Sequence, residues 1–267
     1  MSDTLQLDRA LSVARELARQ ADELLRRGHR EGFAVEHKSE VDLVTEYDRR
    51  SEELLVKGLC SAFPDHSVIA EEGTEVKRQG SEVVWYVDPL DGTTNYAHGL
   101  FWYGVCLGME VAGVPTVSVV RVPELGWELW AVRGGGAWQD GRRLQVSSAP
   151  TLLRSLVATG FPYDRASSED NNLPQFNAVI RRIQGIRRMG VASLDCAHVA
   201  SGKLDAYWEM KLKPWDTCAG ALLVTEAGGR VTDLDGAPFD ACSGRILASN
   251  GLVHDELVDA LAWAAQE

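Results

Sequence analysis

The stretch that most constrains this chain is Trp85–Tyr96, W-Y-V-D-P-L-D-G-T-T-N-Y, where an apolar run ends in two acids, a proline and a glycine–threonine turn. Residues Val83–Val87 are all β-branched or aromatic, which is typical of a buried strand. Pro89 has no N–H for a sheet hydrogen bond, so the strand is predicted to end at Val87 and the chain to leave the sheet between Asp88 and Asp91. The two carboxylates can then converge on one point.

The residues after Asp91 add an anion site to these acids. Gly92-Thr93-Thr94 has the chemistry of a helix start, whose free N–H groups and positive dipole end favour a phosphate. A carboxylate 4 Å from a phosphate charge repels it by about 1 kcal/mol in water and about 4 kcal/mol at an effective dielectric of 20. Oxygen ligands favour Mg²⁺ or Mn²⁺ as the neutralising ion, which predicts a metal-dependent phosphoryl-transfer site. Taken alone, Asp-Pro and Asp-Gly pairs are most commonly simple turns with an Asp cap.

Composition limits the classes of protein that this chain can be. With 267 residues, 45% hydrophobic and 25% charged, it fits one compact unit or two intimately packed halves. A net charge of −12 argues against nonspecific nucleic-acid binding. No signal peptide or run of about 18 apolar residues is evident, so we expect a soluble cytoplasmic protein without membrane contact. The cysteines have no disulfide or metal spacing and are expected to be reduced and mostly buried: Cys60, Cys106, Cys196, Cys218 and Cys242.

Hydrophobic spacing predicts an α+β first half. A helix runs from Leu5 to about Arg27 and should end at Gly28. An extended or hairpin segment at residues 32–44 leads to a helix that begins at Thr45. That helix is predicted to reach about Ala62. The remaining predicted elements are a strand at Ser67–Ala70 and antiparallel strands at Trp102–Val111, Val114–Val122 and Trp127–Val132.

Beyond residues 147–151 the pattern changes to alternating strands and helices. The predicted strands are Ser155–Thr159, Ile186–Met189, Leu204–Glu209, Arg230–Asp233 and Ile246–Ala248, with helices at Asn172–Arg182, after Met189, at Trp215–Ala227 and from Val253. We therefore divide the chain into an N-terminal half, residues 1–148, and a C-terminal α/β half, residues 149–267, within one assembly.

Several strings resemble the inositol monophosphatase family. They are V-D-L-V-T-E-Y-D at Val41–Asp48, A-E-E-G at Ala70–Gly73, the Trp85–Tyr96 string and W-D-T-C-A-G-A-L-L-V-T-E-A-G-G at Trp215–Gly229. The resemblance covers nearly the whole chain. It implies an α/β fold, a layered α-β-α-β-α sandwich, a homodimer, and a Mg²⁺-dependent, lithium-sensitive hydrolase of phosphate monoesters.

The resemblance also implies a ligand set. Glu71, Asp88 and the Leu90 carbonyl would hold a first metal ion, and Asp88, Asp91 and Asp216 a second, with a third and weaker ion at Glu71. Alone, Asp216 at the start of an apolar helix is most often an N-cap. Four acids around two or three Mg²⁺ ions would leave a neutral or positive pocket for a phosphate dianion.

Further roles follow from the same resemblance. Thr93, working with Asp48, would orient the attacking water, and the Gly92–Thr93 backbone would hold phosphate oxygens. Glu209 would bind substrate hydroxyls beside Ala192, Asp91 and Asp216. Asp48 also fits the capping pattern Thr45-x-x-acid, which alone would explain both residues.

Three details weaken parts of this assignment. Glu209 could be an ordinary strand-end surface acid. Val191 and Ser193 depart from the family's usual Gly-Ser/Thr-Ala-Ala string, which puts a side-chain hydroxyl contact in doubt while leaving backbone contacts possible. Lys38 and Glu72 fit a supporting role or plain solvated charge.

These observations indicate a phosphatase of inositol monophosphates and similar small polyol phosphates. The nearest rivals are fructose 1,6-bisphosphate or NADP as substrate within the same chemistry. A rival of another class is a regulator that binds a protein partner, since bacterial relatives include proteins that act on transcription machinery. The intact acid set argues against a purely regulatory role.

Overall fold

The computed structural model describes residues 3–264, so the outermost residues of the two predicted halves, 1–2 and 265–267, lie outside the described part. Its helices pack in three layers that alternate with two sheets. The helices are α1 (Asp3–Glu31), α2 (Glu46–Ala62), α3 (Thr93–Ala97), α4 (Leu173–Ile180), α5 (Ala192–Ala200), α6 (Pro214–Glu226) and α7 (His254–Ala264).

The strands form a hairpin and two sheets. β1 (Val35–His37) and β2 (Leu43–Thr45) pair alone. The eight-stranded sheet has the order β10-β9-β8-β7-β6-β5-β3-β4, and the five-stranded sheet the order β12-β11-β13-β15-β14. The eight strands are β3 (Ser67–Ala70), β4 (Glu75–Val76), β5 (Val83–Asp91), β6 (Gly104–Val111), β7 (Val114–Val122), β8 (Trp127–Val132), β9 (Gly136–Gln139) and β10 (Arg142–Arg143). The five are β11 (Leu156–Thr159), β12 (Gly185–Arg187), β13 (Ala206–Met210), β14 (Arg230–Thr232) and β15 (Arg245–Ser249).

Three buried clusters join these layers. Helices α1 and α2 pack on one face of the large sheet, where Leu25, Leu55 and Trp85 are fully buried. Helices α5 and α6 lie between the two sheets, and α4 and α7 cover the far face of the smaller sheet. The predicted α-β-α-β-α sandwich is therefore confirmed. All strands of the large sheet precede residue 144 and all those of the small sheet follow residue 155, while the division into two domains stays a prediction.

The predicted end of α1 is wrong. The helix passes through Gly28 and ends at Glu31, before Gly32, which has a φ of 81°. Gly28 serves packing instead, because a Cβ there would lie 2.2 Å from Tyr96 Oη and 2.8 Å from Tyr47 Cδ2. The glycine lets α1 approach two fully buried tyrosines that belong to α2 and α3.

The predicted end of β5 is also wrong. The strand continues to Asp91, and its pairing with β6 shifts register between Asp88 and Asp91. Pro89 and Leu90 lie within that shift, where a missing N–H removes no ladder hydrogen bond. Since a bulge absorbs the proline, both acids stay attached to the sheet.

The described residues contain five free cysteines and no helix suited to a membrane. All five cysteines are free; Cys106, Cys196 and Cys218 are buried, whereas Cys242 is exposed. Among the described residues, no helix combines the length and apolar character needed to cross a membrane.

We predict that Gly28→Ala destabilises the protein, although alanine in an exposed helix position gains about 1 kcal/mol over glycine. The added methyl group would displace Tyr96 and Tyr47, at a cost of about 1–3 kcal/mol in the free energy of unfolding. Urea unfolding measures the change, with the exposed Arg27→Ala in the same helix as control. A stabilised Gly28→Ala variant would contradict the packing role.

Candidate active site

The ends of β3 and β5 bring three acids to one edge of the large sheet. These strands are parallel neighbours, with Ala70 opposite Val87. Glu71 follows β3, and its N–H donates to the Val87 carbonyl at 3.2 Å. Because parallel strands end at the same edge, Glu71 lies beside Asp88, within hydrogen-bonding reach of its carboxyl group.

The turn after Asp88 is fixed by local hydrogen bonds. The Leu90 N–H donates to Asp88 Oδ1 at 3.0 Å, and Ser51 Oγ donates to the Pro89 carbonyl at 2.9 Å. Gly92 then has a φ of 92°, and a Cβ there would lie 2.8 Å from Val191 Cγ2. Glycine is therefore required both by backbone conformation and by space, and α3 begins directly after it.

Two helix starts supply the other side of the site. Asp216 is the third residue of α6, not its N-cap; the cap is Lys213, whose N–H donates to Asp216 Oδ2 at 2.6 Å. At the start of α5, Ser193 donates to Asp91 Oδ2 from its backbone N–H at 2.8 Å and from Oγ at 2.6 Å. The Ala192 N–H also hydrogen-bonds Asp91. The start of α5 thus holds Asp91.

Burial and mutual repulsion act together on these acids. Burial first, and then the charges of Glu71, Asp91 and Asp216, raise the pKa of Asp88 well above its usual range. Asp216 is affected in the same way by burial, Asp91 and Glu71. Burial raises the pKa of Glu71 to about 7, although Lys38 Nζ lies 3.1 Å from it. Burial and the charges of neighbouring acids therefore act in the same direction on Asp88 and on Asp216.

Asp48 lies behind this group and is fully buried. Its Oδ2 accepts from Thr45 N–H at 2.8 Å and Thr45 Oγ1 at 2.6 Å, which forms the capping box at the start of α2. Its Oδ1 accepts from Thr93 Oγ1 at 2.9 Å. Burial raises the pKa of Asp48, opposed by these hydrogen bonds. The capping role and the contact with Thr93 therefore coexist.

Glu209 forms the opposite wall, at the end of β13. Its carboxyl group lies over Gly160, where a Cβ would be 2.0 Å from either oxygen. Tyr207 Oη donates to Glu209 Oε2 at 2.7 Å. Burial raises the pKa of Glu209 to about 7, and the Arg188 charge acts in the opposite direction. Glu209 is a constrained wall residue rather than an ordinary surface acid.

These elements enclose a cleft of about 450 Å³. Every predicted site residue except Asp48 lines it, and Asp48 reaches it only through Thr93. The lining residues from the prediction are Glu71, Asp88, Leu90, Asp91, Gly92, Thr93, Ala192, Glu209 and Asp216. Lys38 also lines the cleft.

Sequence reasoning missed two kinds of contact. The sequence analysis put a side-chain hydroxyl contact at the Val191–Ser193 string in doubt, but the Ser193 hydroxyl hydrogen-bonds Asp91. The sequence feature that could have indicated this contact is a serine at the start of a predicted helix. Tyr163, Arg165 and Arg188 line the cleft from loops, whose positions no spacing rule gives.

The chemistry of the donor set fits divalent cations that prefer oxygen. Two buried acids, Asp88 and Asp91, and two half-buried acids, Glu71 and Asp216, line one cleft. The Leu90 carbonyl belongs to the turn between Asp88 and Asp91. In the arrangement of residues 3–264, no group of three or more Asp, Glu, His or Cys side chains is placed so that it could hold a metal ion. Instead, Asp91 accepts from Ser193, Asp216 from Lys213 and Glu71 from Lys38, as expected where protein donors satisfy the oxygens.

Comparisons with known proteins agree on one family and one fold. The model of the inositol monophosphatase family matches residues 6–267. An inositol-1-monophosphatase from Synechocystis is 43% identical over 84% of this chain and 78% of its own length. The Nus factor SuhB of Pseudomonas aeruginosa is 42% identical over 90% of this chain and 91% of its own. A solved inositol monophosphatase from Anabaena (Nostoc) has a TM-score of 0.89 at 40% identity, covering 97% of both chains.

The two roles of Asp48 can be separated with Asp48→Asn, Thr93→Ala and the double variant. Loss of the cap alone should cost about 0.5–2 kcal/mol of stability. If Asp48 works through Thr93 on the attacking water, kcat for phosphate release should fall by about 10²–10⁴ in each single variant. Because the groups act as a unit, the double variant should lose little more.

The measurements are kcat and thermal melting for all three variants, with Thr45→Ala as the control that removes the cap but keeps the Thr93 contact. Additive losses of kcat in the double variant would show two separate roles. Full activity with reduced stability would leave Asp48 as a cap only.

Proposed function

This chain belongs to the inositol monophosphatase family, and we propose that it is a Mg²⁺-dependent phosphatase that hydrolyses inositol monophosphates and similar small polyol phosphates. The observation that carries the proposal is the convergence of four acids from three separate stretches on a cleft that also contains Thr93. Four ionised acids in one cleft would repel a phosphate dianion, and bound divalent cations would remove that repulsion.

The residues that would hold the ions are those that the family resemblance implies. Glu71, Asp88 and the Leu90 carbonyl would form one Mg²⁺ site, and Asp88, Asp91 and Asp216 another, with a third ion at Glu71. Bound ions of this kind polarise a phosphoryl oxygen and lower the pKa of an attacking water. A general base alone, worth about 10²–10⁴ in rate, would not overcome the barrier to monoester hydrolysis.

The chain's own groups would orient the reactants. The Thr93 hydroxyl proton points to Asp48 or to the Leu90 carbonyl, at 2.9 and 3.1 Å, which leaves the lone pairs of Oγ1 to accept from a water. Asp48 would then draw the proton of that water through Thr93. The Gly92 and Thr93 backbone would hold phosphate oxygens, and Glu209 beside Ala192 would accept from substrate hydroxyls.

The alternative of a regulatory role in transcription is suggested by the 42% identity to a Nus factor, but the comparisons favour the phosphatase. Cytoplasmic location, a homodimer, lithium inhibition and lack of direct nucleic-acid binding remain expectations from the family resemblance and charge.

We predict Mg²⁺-dependent release of phosphate that Ca²⁺ does not support, because Ca²⁺ prefers longer bonds and more ligands and would misplace the water. Asp91→Asn and Asp216→Asn should each lose most of kcat at saturating Mg²⁺. The assay compares inositol 1-phosphate, fructose 1,6-bisphosphate, histidinol phosphate, adenosine bisphosphate and NADP, and kcat/KM ranks the substrates.

The exposed Asp170→Asn serves as the matched control and should leave activity unchanged. Comparable turnover with Ca²⁺, or near-normal kcat in Asp91→Asn and Asp216→Asn, would contradict the proposed use of the acids. A dominant kcat/KM for NADP or fructose 1,6-bisphosphate would retain the chemistry but change the substrate.

A further inference from the structure

Glu52 is a buried acid that the proposed reaction does not use. It lies in α2 and is only 3% exposed. Both of its carboxyl oxygens accept from backbone N–H groups, Oε2 from Glu72 at 2.6 Å and Oε1 from Thr74 at 3.1 Å. One carboxylate therefore holds two amides of a single loop, residues 71–74, and this loop carries Glu71 into the active cleft.

The large sheet holds the 71–74 loop at its base. The Ala70 N–H donates to the Thr74 carbonyl at 2.9 Å, and the Glu71 N–H donates to the Val87 carbonyl at 3.2 Å. The strand that follows the loop, β4, has two residues and lies at the edge of the sheet. Because so short an edge strand gives the loop little support, the two bonds to Glu52 contribute much of what fixes the loop and the direction of Glu71.

Glu52 approaches the 71–74 loop from the side that faces away from the active cleft. Glu71 lines the active cleft, whereas Glu52, Glu72 and Thr74 line a second cavity, of about 550 Å³. Among the described residues that line the active cleft, Glu52 is absent. It can therefore act on an ion in the cleft only through the loop that it holds.

The same face of α2 also contacts two other segments of the active site. Asp48, Ser51 and Glu52 are spaced three and four residues apart from Asp48 onward and so share one helical face. Asp48 accepts from the Thr93 hydroxyl at 2.9 Å, and Ser51 donates to the Pro89 carbonyl at 2.9 Å. One buried face of α2 thus holds three of the segments that bring residues to the cleft.

We propose that Glu52 is a positioning residue for metal binding: its carboxylate holds the N–H groups of Glu72 and Thr74 and so directs Glu71 towards the ion that Glu71 would bind. Both oxygens are needed, because a glutamine would present one acceptor oxygen and an NH₂ group that cannot accept. Groups that hold a metal ligand in place are typically worth about 10- to 100-fold in metal affinity. The inference rests on the proposed phosphatase function.

The test is Mn²⁺ binding without substrate, measured by electron paramagnetic resonance on the full chain. Glu71→Gln identifies the Mn²⁺ site in question, because it removes a carboxylate that would be a ligand of that site. Glu52→Gln keeps the size of the side chain and loses one of the two acceptors. At the site identified by Glu71→Gln, Glu52→Gln should weaken the Mn²⁺ affinity by about 10- to 100-fold.

Ser67→Ala is the matched control in the same hairpin of β3 and β4. Ser67 is buried, and its Oγ accepts from the Arg78 N–H at 3.0 Å, so this variant also removes a side-chain acceptor from a backbone amide. Both variants should melt below the wild type, but Ser67→Ala should keep the wild-type Mn²⁺ affinity. Amide hydrogen exchange at residues 71–74 should become faster in Glu52→Gln and stay unchanged in Ser67→Ala.

Two activity measurements show whether Glu52 acts through Glu71. In Glu52→Gln the Mg²⁺ concentration for half-maximal phosphate release should rise about as much as the Mn²⁺ affinity falls. The kcat at saturating Mg²⁺ should stay close to the wild-type value, because a bound ion then holds Glu71 in place. Adding Glu52→Gln to Glu71→Gln should cost little more Mn²⁺ affinity than Glu71→Gln alone.

The outcomes are distinguishable. An unchanged Mn²⁺ affinity in Glu52→Gln, an equal loss in Ser67→Ala, or a large further loss in the double variant would overturn the inference while leaving the phosphatase function standing. If Glu52→Gln does not fold, Glu52→Asp, whose shorter side chain keeps the charge, replaces it with a loss in the same direction expected. If the wild type neither binds Mn²⁺ nor releases phosphate, the proposed function fails and the role of Glu52 falls with it.

Discussion

Repulsion among buried carboxylates is the constraint on which the active site depends. Beyond the effect of burial, the charges of Glu71, Asp91 and Asp216 raise the pKa of Asp88, and the charges of Asp91 and Glu71 raise the pKa of Asp216. At Glu71, the charge of Lys38 opposes the rise in pKa that burial causes. A fold does not keep such a group for stability, because an apolar set of the same volume would be more stable. A ligand of opposite charge would relieve the repulsion among these carboxylates and would therefore bind favourably. Strongly perturbed pKa values are typical of functional sites for this reason.

The layered fold holds these acids together despite their repulsion. Parallel pairing of β3 and β5 fixes Glu71 beside Asp88, and the register shift keeps Asp91 on the same strand. The starts of α5 and α6 then supply backbone N–H groups to Asp91 and Asp216. Rigid elements therefore surround each carboxylate, which preorganises the site at the expense of stability.

Much of this arrangement could be predicted from local patterns. The β-branched and aromatic run before Asp88 predicts a strand, and Thr45 predicts the start of a helix. The resemblance to the inositol monophosphatase family predicts the acids of the site and the five layers of the fold. Local patterns predicted the wrong end for a helix and for a strand, because contacts with residues distant in sequence determine where these two elements end. Gly28 was read as a helix end because its contact with Tyr96 lies far away in sequence. Pro89 was read as a strand end because a bulge depends on the neighbouring strand.

Binding of Mn²⁺, measured by electron paramagnetic resonance without substrate, tests most directly whether the acid group exists to bind divalent cations. Asp88 is the informative position, since the charges of three other acids reach it. The account predicts saturable binding to the wild type and to the exposed control Asp65→Asn, and strongly weakened binding to Asp88→Asn. Equal binding by Asp88→Asn and the wild type, or no binding to either, would contradict it.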